Sequence, residues 1–125
     1  MIKAVLFDID GVLLDSFEAN FKFFDDLLTT AGHQPLTREA YRAMFHSPML
    51  DIIKTATGSV SEEEILRIWE MGRSRVVPYD VGLLTIPDGA ADVVRALSEK
   101  YMLGIATSRT KAGVFESPLL AHLQQ

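Results

Sequence analysis

The chain has 125 residues, a size that suits one ordinary domain or a small domain carrying an insertion. Hydrophobic residues make up 48% and charged ones 23%, with a net charge of −5 and no Lys/Arg run, which excludes a disordered chain and argues against nucleic acid or an anionic membrane surface as the main partner. With no cysteine there is no disulfide, thiolate nucleophile or cysteine-bound zinc, and His33, His46 and His122 stand too far apart for a histidine metal site.

In chain order, Ile2 to Phe7 is a short β-rich apolar run, suited to a strand buried on both faces of a parallel sheet. Asp8 stops it at once, far short of a signal peptide or a membrane span, so the chain reads as cytoplasmic. Phe17, Phe21, Phe24, Leu27 and Leu28 then recur at helical steps, predicting a helix from about Ser16 to Ala31 that Gly32 ends. Thr37 can cap a second helix through Tyr41 to Phe45, and Pro48 begins a third through Leu50, Ile53 and Thr57, closed by Gly58. Arg38, Arg42 and His46 share one face at four-residue steps, which is more commonly a solvated face than a ligand site. Ser61 and Glu64 form a capping-box pair opening a helix with Ile65, Ile68 and Trp69 inward. Pro78 to Pro87 reads as a linker. Asp88 is placed to cap a last helix with Ala91, Val94 and Leu97 inward, which leads into a second apolar run, Met102 to Ala106, stopped by Thr107 and Ser108.

The order strand, helical block, helix, strand predicts a right-handed parallel βαβ unit interrupted after its first strand by a small helical domain. In open α/β sheets ligands bind beyond the carboxyl ends of the strands, where Asp8, Asp10, Thr107 and Ser108 all fall. A bare D-x-D-G is most often a solvated acidic turn, and a Thr or Ser after a strand is most often a helix N-cap. Together, at two strand ends, they suit phosphate chemistry better. Asp8 and Asp10 point the same way along an extended chain, with Ile9 turned to the core, and Gly11 allows a turn that brings backbone N–H groups toward an anion. Two adjacent carboxylates repel unless a cation intervenes, and Mg²⁺ takes such oxygen ligands together with phosphate and water. One carboxylate can then attack phosphorus while the other moves the proton.

Phe7-Asp8-Ile9-Asp10-Gly11-Val12-Leu13-Leu14-Asp15-Ser16 resembles the first motif of the haloacid dehalogenase superfamily, and Leu103-Gly104-Ile105-Ala106-Thr107-Ser108 resembles its second. The helical insertion resembles the C1 cap of the phosphoglycolate phosphatase and β-phosphoglucomutase branch. The resemblance implies an α/β fold: a Rossmann-like core with a partial parallel sheet over residues 1–15 and 79–125, and a helical-bundle cap over residues 16–78. It implies a Mg²⁺-dependent phosphatase acting on a small phosphorylated metabolite through an aspartyl-phosphate. Asp8 would be nucleophile and metal ligand. Asp10 would be general acid/base and a metal ligand through its backbone carbonyl. Gly11, Thr107 and Ser108 would bind phosphate. Asp10 favours phosphate over dehalogenase chemistry, because the family's dehalogenases resemble this sequence up to the nucleophile but lack the second aspartate. A phosphosugar mutase shares every motif present. The family also carries a lysine and an acidic loop after the second strand; Lys111 comes too early to match the lysine, and neither Glu116 nor the segment around Pro118 matches the loop. A truncated chain is therefore expected, with weak Mg²⁺ binding, little turnover and sheet edges open to self-association; a catalytically silent binding or assembly module is the reading from another functional class.

Overall fold

The apolar residues Ala4–Phe7 form strand β1 and Met102–Ile105 form β2, and the two pair in parallel with Ala4 opposite Met102 and Phe7 opposite Ile105. The ladder is closed at its ends by Met102 N–H to the Lys3 carbonyl (3.1 Å) and Ala106 N–H to the Phe7 carbonyl (2.9 Å). Parallel strands need a crossover, and the helix Ala90–Ser98 ends just before β2. This computed structural model describes residues 1–109 and 113–114. Readings that involve His122, Lys111, Glu116 and Pro118 lie outside them.

Residues Met1–Glu18 with Val81–Gln125 form one compact unit, and Ala19–Asp80 form another. In the first unit the sheet among the described residues has two strands, and Leu6 and Met102 are 70% and 73% exposed. A strand buried on both faces was expected. With only two strands the sheet offers too little surface to be covered on both sides, so alternate residues stay in solvent. Beyond β1 the chain folds back tightly: the buried Ile9 accepts the amides of Val12, Leu13 and Leu14 on its carbonyl (3.2, 2.9 and 2.9 Å). The segment expected to be a plain linker is partly built into this unit. It carries a 3₁₀ turn at Val81–Leu83, and Thr85 pairs antiparallel with Asp15 (2.8 and 3.2 Å). The helix Ala90–Ser98 is capped by Gly89 at φ 80° with no side-chain bond, not by Asp88. The chain enters through a left-handed residue that glycine adopts without a Cβ penalty, and Ala90 N–H closes the turn on the Pro87 carbonyl (3.1 Å). Ala91 is exposed, and Val94 and Leu97 are half-buried.

Four helices make the inserted segment: α1 Phe17–Thr30, α2 Arg38–Met44, α3 Met49–Ala56 and α4 Glu62–Arg73, with Ala90–Ser98 as α5. The α1 stripe is buried at Phe24, Leu27 and Leu28, joined by Phe23, against a core that includes Tyr41, Ile53 and Ile68. The predicted caps form. Thr37 Oγ1 accepts from Ala40 N–H (3.1 Å) and Ser61 Oγ from Glu64 N–H (3.2 Å). α2 ends before His46, whose ring lies 4.7 Å from that of Phe45, while the Arg38 guanidinium stacks 4.8 Å over Phe21, so the basic face is not continuous.

The second half of the capping box is absent because the Glu64 carboxylate is engaged elsewhere. It accepts a two-pronged bond from Arg67 (2.5 and 2.7 Å) and faces His33 Nε2 at 3.0 Å. Arg67 also donates to the Ala31 carbonyl (3.1 Å), satisfying a helix-end acceptor and tying the end of α1 to α4. These partners, Arg67 first and His33 second, hold the Glu64 carboxyl at about 2 against an ordinary 4.5. A depressed carboxyl pKa favours the folded state above the ordinary value, and that advantage fades as pH falls from 4.5 toward 2. Glu64→Gln is therefore expected to lower the urea midpoint at pH 7, with the gap to the parent closing on acidification through that window. A gap independent of pH would show that the carboxylate charge plays no part in the tie.

Candidate active site

β1 delivers Asp8 to the end of the sheet, and the turn around the Ile9 carbonyl sets the path of residues 10–14. Asp8 is exposed, and its Oδ1 accepts the amide of Ile9 at 2.7 Å. Ile9 is fully buried, as the alternation predicted. Gly11 takes φ 80°, a conformation that L side chains rarely adopt, and its N–H donates to the Leu14 carbonyl (2.8 Å). That amide is therefore spent inside the turn and not turned toward an anion, the orientation expected from the sequence.

Asp10 is half-buried and densely held. Its Oδ1 accepts from Ser16 Oγ–H (2.5 Å) and from Arg109 Nη2 (2.6 Å), and its Oδ2 accepts from Arg109 Nε (2.8 Å). The two Arg109 bonds form a parallel fork, the strongest geometry for a guanidinium and a carboxylate. The side chains of Arg109 and Asp10 are 12% and 22% exposed, so the pair is screened less than a surface salt bridge. Ser16 is wholly buried. It serves the carboxylate as well as opening the helix, a role its place in the sequence did not show.

Since Phe7 and Ile105 are partners, Asp8 and Thr107 leave the sheet at the same end. Thr107 is half-buried, and its Oγ1 accepts the Arg109 amide (3.1 Å) in a short hydroxyl turn, where a helix N-cap was the common alternative. That bond uses an oxygen lone pair and leaves the hydroxyl proton to be donated. Ser108 is exposed and makes no hydrogen bond among the described residues. Arg109 Nη1 reaches on to the Gly113 carbonyl (3.3 Å). The structure thus joins the Asp10 turn to the Thr107–Arg109 segment through one side chain. Arg109 supplies a positive charge to Asp10, one of the two neighbouring carboxylates. In the sequence it is marked only by its place just after the second strand end.

For a hard cation the available donors are the Asp8 carboxylate and the Asp10 backbone carbonyl, oxygen ligands of the type Mg²⁺ takes, with its other positions left to phosphate and water. No group of three or more His, Asp or Glu side chains suited to a metal occurs among the described residues. No helix among them is long and apolar enough to cross a membrane.

Residues 5–123 match the sequence profile of the haloacid dehalogenase-like hydrolases. No curated protein matches the chain. Among solved structures, a haloacid dehalogenase-like family hydrolase from Streptococcus pneumoniae superposes with a TM-score of 0.82 at 21% identity, over 98% of this chain and 56% of its own. CbbY from Rhodobacter sphaeroides, solved in complex with phosphate, gives 0.70 at 23% identity over 98% of this chain and 57% of its own. A predicted phosphoglycolate phosphatase from Haemophilus somnus gives 0.73 at 14% identity, over 98% and 60%. At these identities the likeness is one of fold, and the chain spans little more than half the length of each.

Proposed function

Because the chain belongs to the haloacid dehalogenase-like hydrolases, we propose that it carries the nucleophile, acid/base and phosphate-binding parts of a Mg²⁺-dependent phosphatase for a small phosphorylated metabolite. The observation that supports this most directly is the exposed Asp8 carboxylate, leaving the sheet at the same end as the Thr107 hydroxyl, with Asp10 held two residues away. Asp8 attacks phosphorus, and the bond to the leaving oxygen breaks. Asp10 gives that oxygen a proton. In the second step water attacks the aspartyl-phosphate, and Asp10 takes the water's proton, which returns both carboxyl groups to their starting state. The Thr107 hydroxyl, with Ser108 beside it, donates to the oxygens of the transferring group, and Gly11 keeps the approach open. Asp8 and the Asp10 carbonyl would hold Mg²⁺, which when bound neutralises charge on the phosphoryl oxygens. The helical unit, Ala19–Asp80, acts as the cap that selects the substrate.

Incubating the protein with phosphomonoesters, with Mg²⁺ and then with excess EDTA, tests this reading. Orthophosphate is expected only with the metal. Isomerised phosphosugar in place of orthophosphate would assign a mutase instead. Phosphate release that persists in EDTA would overturn the metal's role, and no turnover with any phosphomonoester would leave the chain a binding module.

A further inference from the structure

We propose that Arg109 is a positioning residue: it fixes the Asp10 carboxylate and ties it to the Thr107 turn, so that the acid/base and the phosphate-binding hydroxyl move as one piece. The proposal rests on the reading of Asp10 as the acid/base, and it adds a residue that the two motifs do not include. Four bonds from Arg109 carry it. The guanidinium forks onto both oxygens of Asp10 (2.8 and 2.6 Å), the backbone N–H donates to Thr107 Oγ1 (3.1 Å), and Nη1 donates to the Gly113 carbonyl (3.3 Å). A carboxylate on a short side chain, gripped at both oxygens by a planar fork, has little rotational freedom left; Ser16, itself wholly buried, fixes Oδ1 from another direction. The backbone bond to Thr107 makes the link specific. The same residue thus holds the Asp10 carboxylate with its side chain and the Thr107 hydroxyl oxygen with its amide. A lysine could match the charge but neither the fork nor the reach to two oxygens at once.

Two measurements on the full chain test the proposal. In kinetics with p-nitrophenyl phosphate, Arg109→Gln is expected to lower kcat by on the order of 10- to 100-fold through misplacement of Asp10, while KM changes by less than about 3-fold because substrate binding is not its task. Arg109→Lys should stay close to Arg109→Gln, since charge alone does not rebuild the fork. A rise in KM at unchanged kcat, or full rescue by lysine, would overturn the proposal. The second measurement needs no turnover. The Arg109 Nε–H signal in ¹H–¹⁵N spectra, assigned by its absence in Arg109→Lys, should be protected from exchange. It should be lost in Asp10→Asn, and it should persist when Mg²⁺ and inorganic phosphate are added. Indifference to Asp10→Asn, or displacement by phosphate, would overturn the proposal. Absence of hydrolysis in the parent chain would count against the phosphatase reading alone, and the nitrogen-bound proton would still decide the role of Arg109.

Discussion

Asp8→Asn is expected to reduce phosphate release to background, a loss on the order of 10³-fold or more, while leaving the urea midpoint nearly unchanged. Both halves follow from where Asp8 sits. It is exposed, and its one side-chain hydrogen bond among the described residues is the Ile9 amide to Oδ1, which the carbonyl oxygen of asparagine accepts equally well. The amide loses only the nucleophilic charge. Asp10→Asn contrasts with it. The change takes the counter-charge from a guanidinium whose side chain is 12% exposed and replaces an acceptor oxygen with a donor NH₂, so stability falls together with rate. Parallel measurement of turnover and urea midpoint in the two variants separates nucleophile from acid/base. Retained turnover in Asp8→Asn would exclude the aspartyl-phosphate route. Unchanged stability in Asp10→Asn would remove the weight placed on the Arg109 fork.

What could be read from the sequence was what local chemistry determines. The Phe17 to Leu28 stripe, the Thr37 and Ser61 caps and the two apolar runs ending at Asp8 and Thr107 each depend on residues a few positions apart, and all appear as elements or caps close to the expected bounds. The misreadings came where a stronger or unforeseen partner displaced the expected one. Glu64 would have bonded the Ser61 amide, but the Arg67 fork offers a full charge and His33 arrives from the end of α1. Asp88 has the right chemistry for a cap, yet Gly89 beside it already turns the chain. The stretch from Pro78 to Pro87 looked like a linker because one β-bridge, Asp15 with Thr85, has no periodicity to detect. At the site, Asp8, Asp10 and Thr107 were legible as chemical types at strand ends. Ser16 and the Arg109 fork needed the turn about Ile9 to be known, because that turn brings residues six and ninety-nine positions away onto one carboxylate.

Leu27→Ala is expected to damage the helical unit severely, costing about 2–5 kcal/mol. Native domains hold only about 5–15 kcal/mol in all, so the unit would lose a large part of its stability. Leu27 is wholly buried in the last turn of α1, and α4 comes close to it at Gly72, itself buried. A Cβ added at Gly72 would lie 3.0 Å from Leu27 Cδ2 and 3.4 Å from Met49 Sδ. Two opposing effects meet at that glycine. Alanine would raise helix propensity by about 1 kcal/mol, but in the parent it would crowd the fully buried Leu27, at a cost of about 1–3 kcal/mol. In the Leu27→Ala background the crowding disappears, and the added methyl occupies part of the vacated space. Gly72→Ala should therefore be neutral or harmful alone and stabilising beside Leu27→Ala. Trp69, the single tryptophan, lies on α4 and reports unfolding of this unit in urea. A coupling of roughly 1 kcal/mol or more between the two sites is the expected result. Strict additivity would mean that α1 and α4 set their spacing through other contacts, and that Gly72 is small for a reason other than Leu27.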